Sequence, residues 1–341
     1  MALLHLDHLS LRFGGLTAVN DVSVAVERGQ IFAIIGPNGA GKTSVFNAIT
    51  GLYPPSGGRV LIDGRTVRSP PGPADLARWS LAGIVTGVGT ALAINANVLW
   101  DAAINRSAHL KPFPWSETWN AVAATATQGA WTTIPFVIGA AVGVGAAWNA
   151  WRSSRCTPDA VARAGVARTF QNIRLFRDLS ALDNVLVGMD RHLHARGWHA
   201  ALRLPRHCRE ERDARETAMR ELEFVSLGTA ANQSASSLPY GHQRRLEIAR
   251  ALATRPALLL LDEPAAGMNP AEATKLMELI KRIRDRGITV VLIEHHMKVV
   301  MGISDRIAVL HYGNKIAEGT PAEIRANPQV IEAYLGKEEL G

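Results

Sequence analysis

The sequence predicts an α/β fold with a mainly parallel sheet at its core, and three segments carry that expectation. Gln30-Ile-Phe-Ala-Ile-Ile35 is a short apolar run that reads as a buried strand. It leads into the turn Gly36-Pro-Asn-Gly-Ala-Gly-Lys-Thr43 and then into Ser44-Val-Phe-Asn-Ala-Ile-Thr50, a helix start. Leu258-Leu-Leu-Leu-Asp-Glu-Pro264 is a second buried strand, ended by two carboxylates. Ile288–Ile293 is a third, largely apolar, and closes on Glu294 and His295.

The turn after the first strand matches G-x-x-x-x-G-K-[ST] in full. A strand, a glycine-rich turn and a helix N-terminus together form a phosphate cradle. The glycines let backbone N–H groups wrap an anion, and the helix dipole adds positive potential there. Gly36, Pro37, Asn38, Gly39, Ala40, Gly41, Lys42, Thr43 and Ser44 are the expected phosphate contacts. Lys42 is expected to reach the outer phosphates, and the Thr43 hydroxyl to bind Mg²⁺. Asp262 is expected to support the same metal, and Glu263 to polarise the water that attacks the γ-phosphate.

The chain has 341 residues, room for one large domain or two ordinary ones, and 47% of them are hydrophobic, ample for a core. The net charge of +7 suits a nucleotide, an anionic membrane face or nucleic acid. With no lysine-rich tract and no RNA-binding aromatic motif, nucleic acid is not expected. Basic residues concentrate in Arg191–Arg220, where Glu210, Glu211, Asp213 and Glu216 intervene, so the run reads as a solvated helical face. Cys156 and Cys208 are the only cysteines and lack metal-type spacing, which suits a reducing compartment without a disulfide. Met1–Asp7 has neither the charged start nor the long apolar stretch of a signal peptide, so the catalytic part is expected to face the cytoplasm.

Between the phosphate turn and the Asp-Glu strand lies Leu238-Pro-Tyr-Gly-His-Gln-Arg-Arg-Leu-Glu-Ile-Ala-Arg250. With this stretch the chain resembles the ATP-binding cassette (ABC) family. The resemblance implies that Gly241 lies in a turn capping the γ-phosphate of ATP held by a second cassette, each site being shared across a head-to-tail pair. It implies further that Phe13 stacks on adenine, that Gln171 of Thr169-Phe-Gln171 touches Mg²⁺ and the attacking water, and that His295 contacts the γ-phosphate. Gly267-Met-Asn269 takes the place of a loop that crosses the dimer interface.

Further segments resemble one subgroup, the ATPase subunits of branched-chain amino-acid importers. They are Phe13-Gly-Gly-Leu-Thr-Ala-Val19, Arg168-Thr-Phe-Gln-Asn-Ile-Arg-Leu-Phe176, Leu238–Leu252, Asp262–Pro270, Ile293–Met301 and Ala333-Tyr-Leu-Gly336. The resemblance covers residues 1–78 and 164–341. It implies a P-loop cassette with an antiparallel β part near the N-terminus and a helical arm over about 171–253. It also implies ATP and Mg²⁺ as cofactors, transmembrane permease subunits, a second cassette (a heterodimer is expected, a homodimer is open) and, indirectly, a substrate-binding protein. Export of lipid or lipopolysaccharide is the related alternative; an ATP-binding regulatory or anchoring subunit with little hydrolysis is the other. Two departures stand out. Pro239 replaces the usual serine of the signature turn and offers neither hydroxyl nor N–H, and His296 follows the switch histidine where Asp is frequent.

Residues 79–163 interrupt the cassette as an apolar helical hairpin. Trp79, Trp100, Trp115, Trp119, Trp131, Trp148 and Trp151 lie there, seven of the chain's eight tryptophans. Trp79–Trp100 is an uncharged stretch of 22 residues, as a helix roughly 30 Å long, about the hydrocarbon thickness. Thr118–Trp151 is a second uncharged stretch, with its span expected from about Gly129 to Trp151. Gly83-x-x-x-Gly87 and Gly139-x-x-x-Gly143 offer close helix approach. Arg65, Arg68 and Arg78 precede the pair and Arg152 and Arg155 follow it, which places both outer ends in the cytoplasm. A two-span transmembrane hairpin anchoring the chain at the cytoplasmic face of the inner membrane is the expectation. A soluble apolar hairpin packed on a membrane partner is the alternative, because Asn95, Asn97, Gln128 and Pro135 weaken the spans.

Overall fold

The computed structural model describes residues 2–67, 73–94, 130–153, 157–192 and 205–335, with single positions 96, 116 and 120. Outside them lie the first expected span after Ile94, most of the loop to Gly129, Arg68, Arg155, Cys156, residues 193–204 of the basic run and Gly336. The chain divides into two compact units, Met1–Arg68 with Cys156–Gly341, and Ser69–Arg155. By composition the joints fall at 78/79 and 163/164; by contact they fall at 68/69 and 155/156. The difference has a local cause: the helix begun at Pro73 runs past Trp79 unbroken, whereas Pro158–Arg163 buries Ala160 and Val161 in the larger unit.

In the larger unit the described strands are β1 (Ala2–Phe13), β2 (Leu16–Glu27), β3 (Ile31–Ile35), β4 (Gly57–Ile62), β5 (Arg65–Thr66), β6 (Val166–Arg168), β7 (Leu258–Asp262), β8 (Thr289–Ile293), β9 (Arg306–His311) and β10 (Asn314–Gly319). One sheet, in the order β2-β1-β4-β5, is antiparallel throughout. The other runs β10-β9-β3-β8-β7-β6 and is parallel except for the β9–β10 hairpin. A mainly parallel core with an antiparallel part built largely from the N-terminal strands is therefore what forms.

The apolar strands are buried on both faces, and alternate residues serve different cores. Ile31, Ala33 and Ile35 of β3 join Leu259 and Leu261 of β7 and Val290 and Leu292 of β8 in a core shared with the helices. Phe32, Ile34, Leu258, Leu260, Val291 and Ile293 point the other way, into a core with the antiparallel sheet and α1 (Lys42–Ile49). A strand's period of two makes a continuous apolar run the only pattern that satisfies both faces.

Helices α2 (Ala181–Met189), α3 (Pro205–Phe224) and α4 (Tyr240–Ala253) form the helical arm. Ser180 caps α2 by accepting a hydrogen bond from the Asp183 N–H at 3.0 Å. Asn269 and Glu272 form a reciprocal capping box on α5 (Pro270–Asp285), with Pro270 at its first turn. The chain's C-terminal described helix is α6 (Pro328–Leu335).

Arg244 of α4 is fully buried and pairs with Glu247 one turn on, at 2.9 Å. Its guanidinium also donates to the Phe170 carbonyl (2.6 Å) and the Gln171 carbonyl (2.8 Å). Glu247 in turn accepts from the N–H groups of Phe170 (3.4 Å) and Arg174 (3.3 Å). The loop that carries Gln171 is thus clamped through its backbone by one buried ion pair.

In the smaller unit, helices Pro73–Ile94 and Ala130–Ser153 pack on each other, and both are long and apolar enough to cross a membrane by length and composition. Gly83, Gly87, Gly139 and Gly143 all face the opposite helix. A Cβ at Gly143 would come within 2.0 Å of the Thr86 hydroxyl, which here donates across to the Gly139 carbonyl at 2.8 Å. Trp79 and Trp148 meet at 4.9 Å between ring centroids. Leu81, Ile84, Val85, Val88, Val137 and Val142 are exposed.

Replacing Arg244 by Ala strands the Glu247 carboxylate in the core and frees two loop carbonyls. The variant is expected to lose about 3–5 kcal/mol of stability. A denaturant titration showing a loss below about 1 kcal/mol would refute this account of the clamp.

Candidate active site

The parallel order brings three loops to one edge, because β8 lies between β3 and β7 and all three run the same way. Their carboxyl ends open into the Gly36–Thr43 turn, the Asp262-Glu263 pair and the Glu294-His295 pair. In open α/β sheets that edge is where ligands bind.

The turn can exist only with its glycines. Gly36 has φ +153°, and a Cβ there would lie 2.1 Å from the Leu310 carbonyl oxygen. Gly41 has φ +96°, and its Cβ would lie 2.4 Å from the Ala18 carbonyl oxygen. Lys42 is buried, and its Nζ donates to the Gly36 carbonyl at 2.7 Å and the Pro37 carbonyl at 2.9 Å. The ammonium is therefore held inside the curve of the turn, with the N-terminus of α1 behind it. Thr43, the second residue of α1, is exposed. This backbone-walled, cation-bearing concavity fits a chain of phosphates.

Facing the turn, Gln171 Nε2 donates to Glu263 Oε2 at 3.0 Å, and His295 Nδ1 stands 3.7 Å from the same oxygen. Glu263 has φ +45°, left-handed and strained for a residue with a side chain, and its N–H is held by the Ile293 carbonyl at 3.0 Å. Glu294, fully buried, accepts from the Ala265 N–H (2.9 Å) and the His295 N–H (3.3 Å), tying the β8 end to the loop after Glu263. Asp262 Oδ2 accepts from Arg168 at 2.7 Å, a pair almost out of solvent. Arg168 also donates to Asn47 Oδ1 of α1 at 2.7 Å. Gly36, Pro37, Asn38, Gln171, Glu263, His295, Ala333 and Tyr334 line a common cavity of about 420 Å³.

The sequence patterns of known families meet this geometry. The ABC transporter family matches residues 19–95 and 146–266, leaving out 96–145 inside the smaller unit, and a branched-chain amino acid ATP-binding cassette transporter family matches residues 314–339. A high-affinity branched-chain amino acid transport ATP-binding protein of Pseudomonas aeruginosa, BraF, is 38% identical over 336 residues, covering 98% of both chains. This chain belongs to the ABC transporter family. LivG of Escherichia coli, with the same description, is 37% identical over 98% of each chain, and a probable LivG of Archaeoglobus fulgidus is 26% identical. The crystal structure of an ABC transporter cassette in its ADP conformation has the same fold at a TM-score of 0.63, 23% identity, 98% coverage of this chain and 99% of that one.

Not every expected residue of the cassette meets the cavity. Phe13 ends β1 and is 41% exposed, stacked edge-on against Tyr53 at 5.1 Å, apart from the Glu263 cavity. Gly241 is buried in the first turn of α4, where a Cβ would lie 3.0 Å from the Glu272 carboxylate. Pro239 is the N-cap of α4 and contributes no side-chain cap. The neighbouring His242 has its pKa lowered, chiefly by burial and then by Arg245. Asn269, on the expected interface loop, is occupied by its own helix cap.

Sequence reasoning gave no role to Arg168, Arg244, Glu247, Glu294 or Tyr334. Each lies within or beside a recognised segment, yet an arginine, glutamate or tyrosine there carries no pattern of its own. A Gly36→Ala variant must displace the turn from Leu310 and is expected to bind MgATP at least about tenfold more weakly, at a cost of about 1–3 kcal/mol in stability. Equilibrium nucleotide binding and chemical denaturation measure both; wild-type affinity would exclude the cradle described.

Proposed function

We propose that this chain is the ATP-hydrolysing, energy-coupling subunit of an importer, and that the solute is a branched-chain or related amino acid. The observation that carries the reaction is the convergence of Gln171 and His295 on one oxygen of Glu263, across a cavity from the Lys42 turn. The solute class is supported by the descriptions of the BraF and LivG relatives.

In this reading Lys42 and the turn amides hold the phosphates, and the exposed Thr43 hydroxyl and Asp262 hold Mg²⁺. Arg168 takes Asp262 Oδ2, so Oδ1 is the oxygen left to face the ion. The metal, when bound, offsets charge on the outer phosphates. Glu263 accepts a hydrogen bond from the attacking water, Gln171 and His295 orient it, and the β–γ bridging bond breaks to give ADP and phosphate. Catalysis is mostly positioning and charge stabilisation. Phe13, exposed at the hairpin end, is left to stack on adenine. Gly241 and the α4 N-terminus lie outside the chain's own cavity, as suits a turn that completes the site of a second cassette, here taken to be a different one.

Partner permease subunits sit in the membrane, and the chain works at its cytoplasmic side. A cavity of about 460 Å³ beside the Gln171 loop, lined by Phe170, Phe176, Val187 and Arg250 among others, is the place for a permease segment to press on that loop. The hairpin's exposed apolar faces suit a two-span membrane anchor.

With Glu263→Gln in this subunit of the assembled complex, phosphate release is expected to fall by about 10²-fold or more while MgATP still binds. Unchanged turnover would favour the second reading, a nucleotide-binding subunit with little hydrolysis, to which Pro239 at the signature turn points. For the hairpin, the full-length chain is expected to stay with membranes through an alkaline carbonate wash. Its release would leave only a peripheral hairpin docked on the permease.

A further inference from the structure

Tyr334 of α6 lines the phosphate cavity and has no part in the reaction as described. Its ring packs on the core shared with the helices, while its hydroxyl is buried beside the Gly36 backbone N–H and finds no acceptor for its own proton among the described residues. A buried hydroxyl whose proton has no acceptor is unfavourable compared with phenylalanine in the same place. Such a group asks for an explanation, and an absent ligand is one. Burial pushes the phenol up to about 12, with the Gly36 backbone pulling the other way, so near neutral pH the group is a neutral donor.

The cavity walls say what would accept that proton. Gly36, Pro37 and Asn38 form one wall, and Gln171, Glu263 and His295 another, which is the reacting end of the site. The ligand group expected between them is rich in acceptor oxygens and has no donors. We propose that the Tyr334 hydroxyl donates a hydrogen bond to the terminal phosphate of the bound nucleoside triphosphate, which makes the C-terminal helix a working wall of the site. The proposal rests on the phosphate-site reading above. Its consequence is discrimination: a diphosphate lacks the acceptor, so α6 loses its contact with nucleotide once the terminal phosphate leaves.

The test is Tyr334→Phe in the full-length chain, which removes one oxygen and keeps the ring. Equilibrium binding of a non-hydrolysable ATP analogue and of ADP, both with Mg²⁺, is measured beside thermal unfolding without nucleotide. The analogue is expected to bind about tenfold more weakly, ADP to change by less than about twofold, and Tm to stay or rise. Unchanged analogue affinity overturns the proposal, and so does an equal loss for ADP, which marks mere support of the turn. Lys42→Ala is run alongside. If it leaves both affinities intact, the phosphate-site reading itself fails and the Tyr334 contact falls with it.

Discussion

The site depends on the in-register pairing of β8 with β3 on one side and β7 on the other. Ile34 pairs with Ile293, and Ile293 with Asp262, so the phosphate turn, the acidic pair and the histidine leave the sheet at the same level. Parallel neighbours point their carboxyl ends one way, and each strand is buried on both faces. A one-residue slip would exchange the Phe32, Leu260 and Val291 face for its opposite and disrupt two cores at once. The hydrophobic pattern therefore holds the chemistry in register, although no apolar residue of these strands takes part in it.

Upon that edge the polar contacts add direction. Glu263 is held in a left-handed conformation by the Ile293 carbonyl, and Glu294 anchors the next loop, so the carboxylate is presented by backbone geometry and not by its own rotamer alone. Arg168 joins β6 to Asp262 and to Asn47 of α1, linking the Asp262 carboxylate to the helix that follows the Gly36–Thr43 turn. Arg244 and Glu247 clamp the Gln171 loop to α4, whose first turn holds Gly241. The Gln171 loop is thus bonded both to the acidic pair and to α4.

The smaller unit obeys different rules. Its two helices meet through glycines and threonines, where absent side chains let backbones approach and a hydroxyl reach a carbonyl across the gap. The bulky apolar residues are left outside, the reverse of the arrangement in the larger unit. Such a helix pair gains most where something apolar covers it. The ABC transporter family match takes in the first of these helices and leaves out residues 96–145, which include most of the second.

Much of the fold and half of the site are local properties, and these were legible in the sequence. Gly36–Thr43, Leu258–Asp262 and Ile288–Ile293 announce themselves because strand, turn and helix start are decided by contiguous residues and by a period of two or 3.6. The glycines between the hairpin helices were legible for the same reason, whereas the helical arm was expected only from the family resemblance. The joints of the hairpin were not, since a helix starting at Pro73 crosses a change of composition without noticing it. Only the tertiary structure decided that Arg168 would meet Asp262, 94 positions away, that Gln171 would meet Glu263, 92 positions away, and that Arg244 would reach back to the Gln171 loop. It alone brought Tyr334 to the phosphate turn. A side chain's partner across the fold is set by strand order and helix packing, which act through space, and no spacing along the chain encodes them.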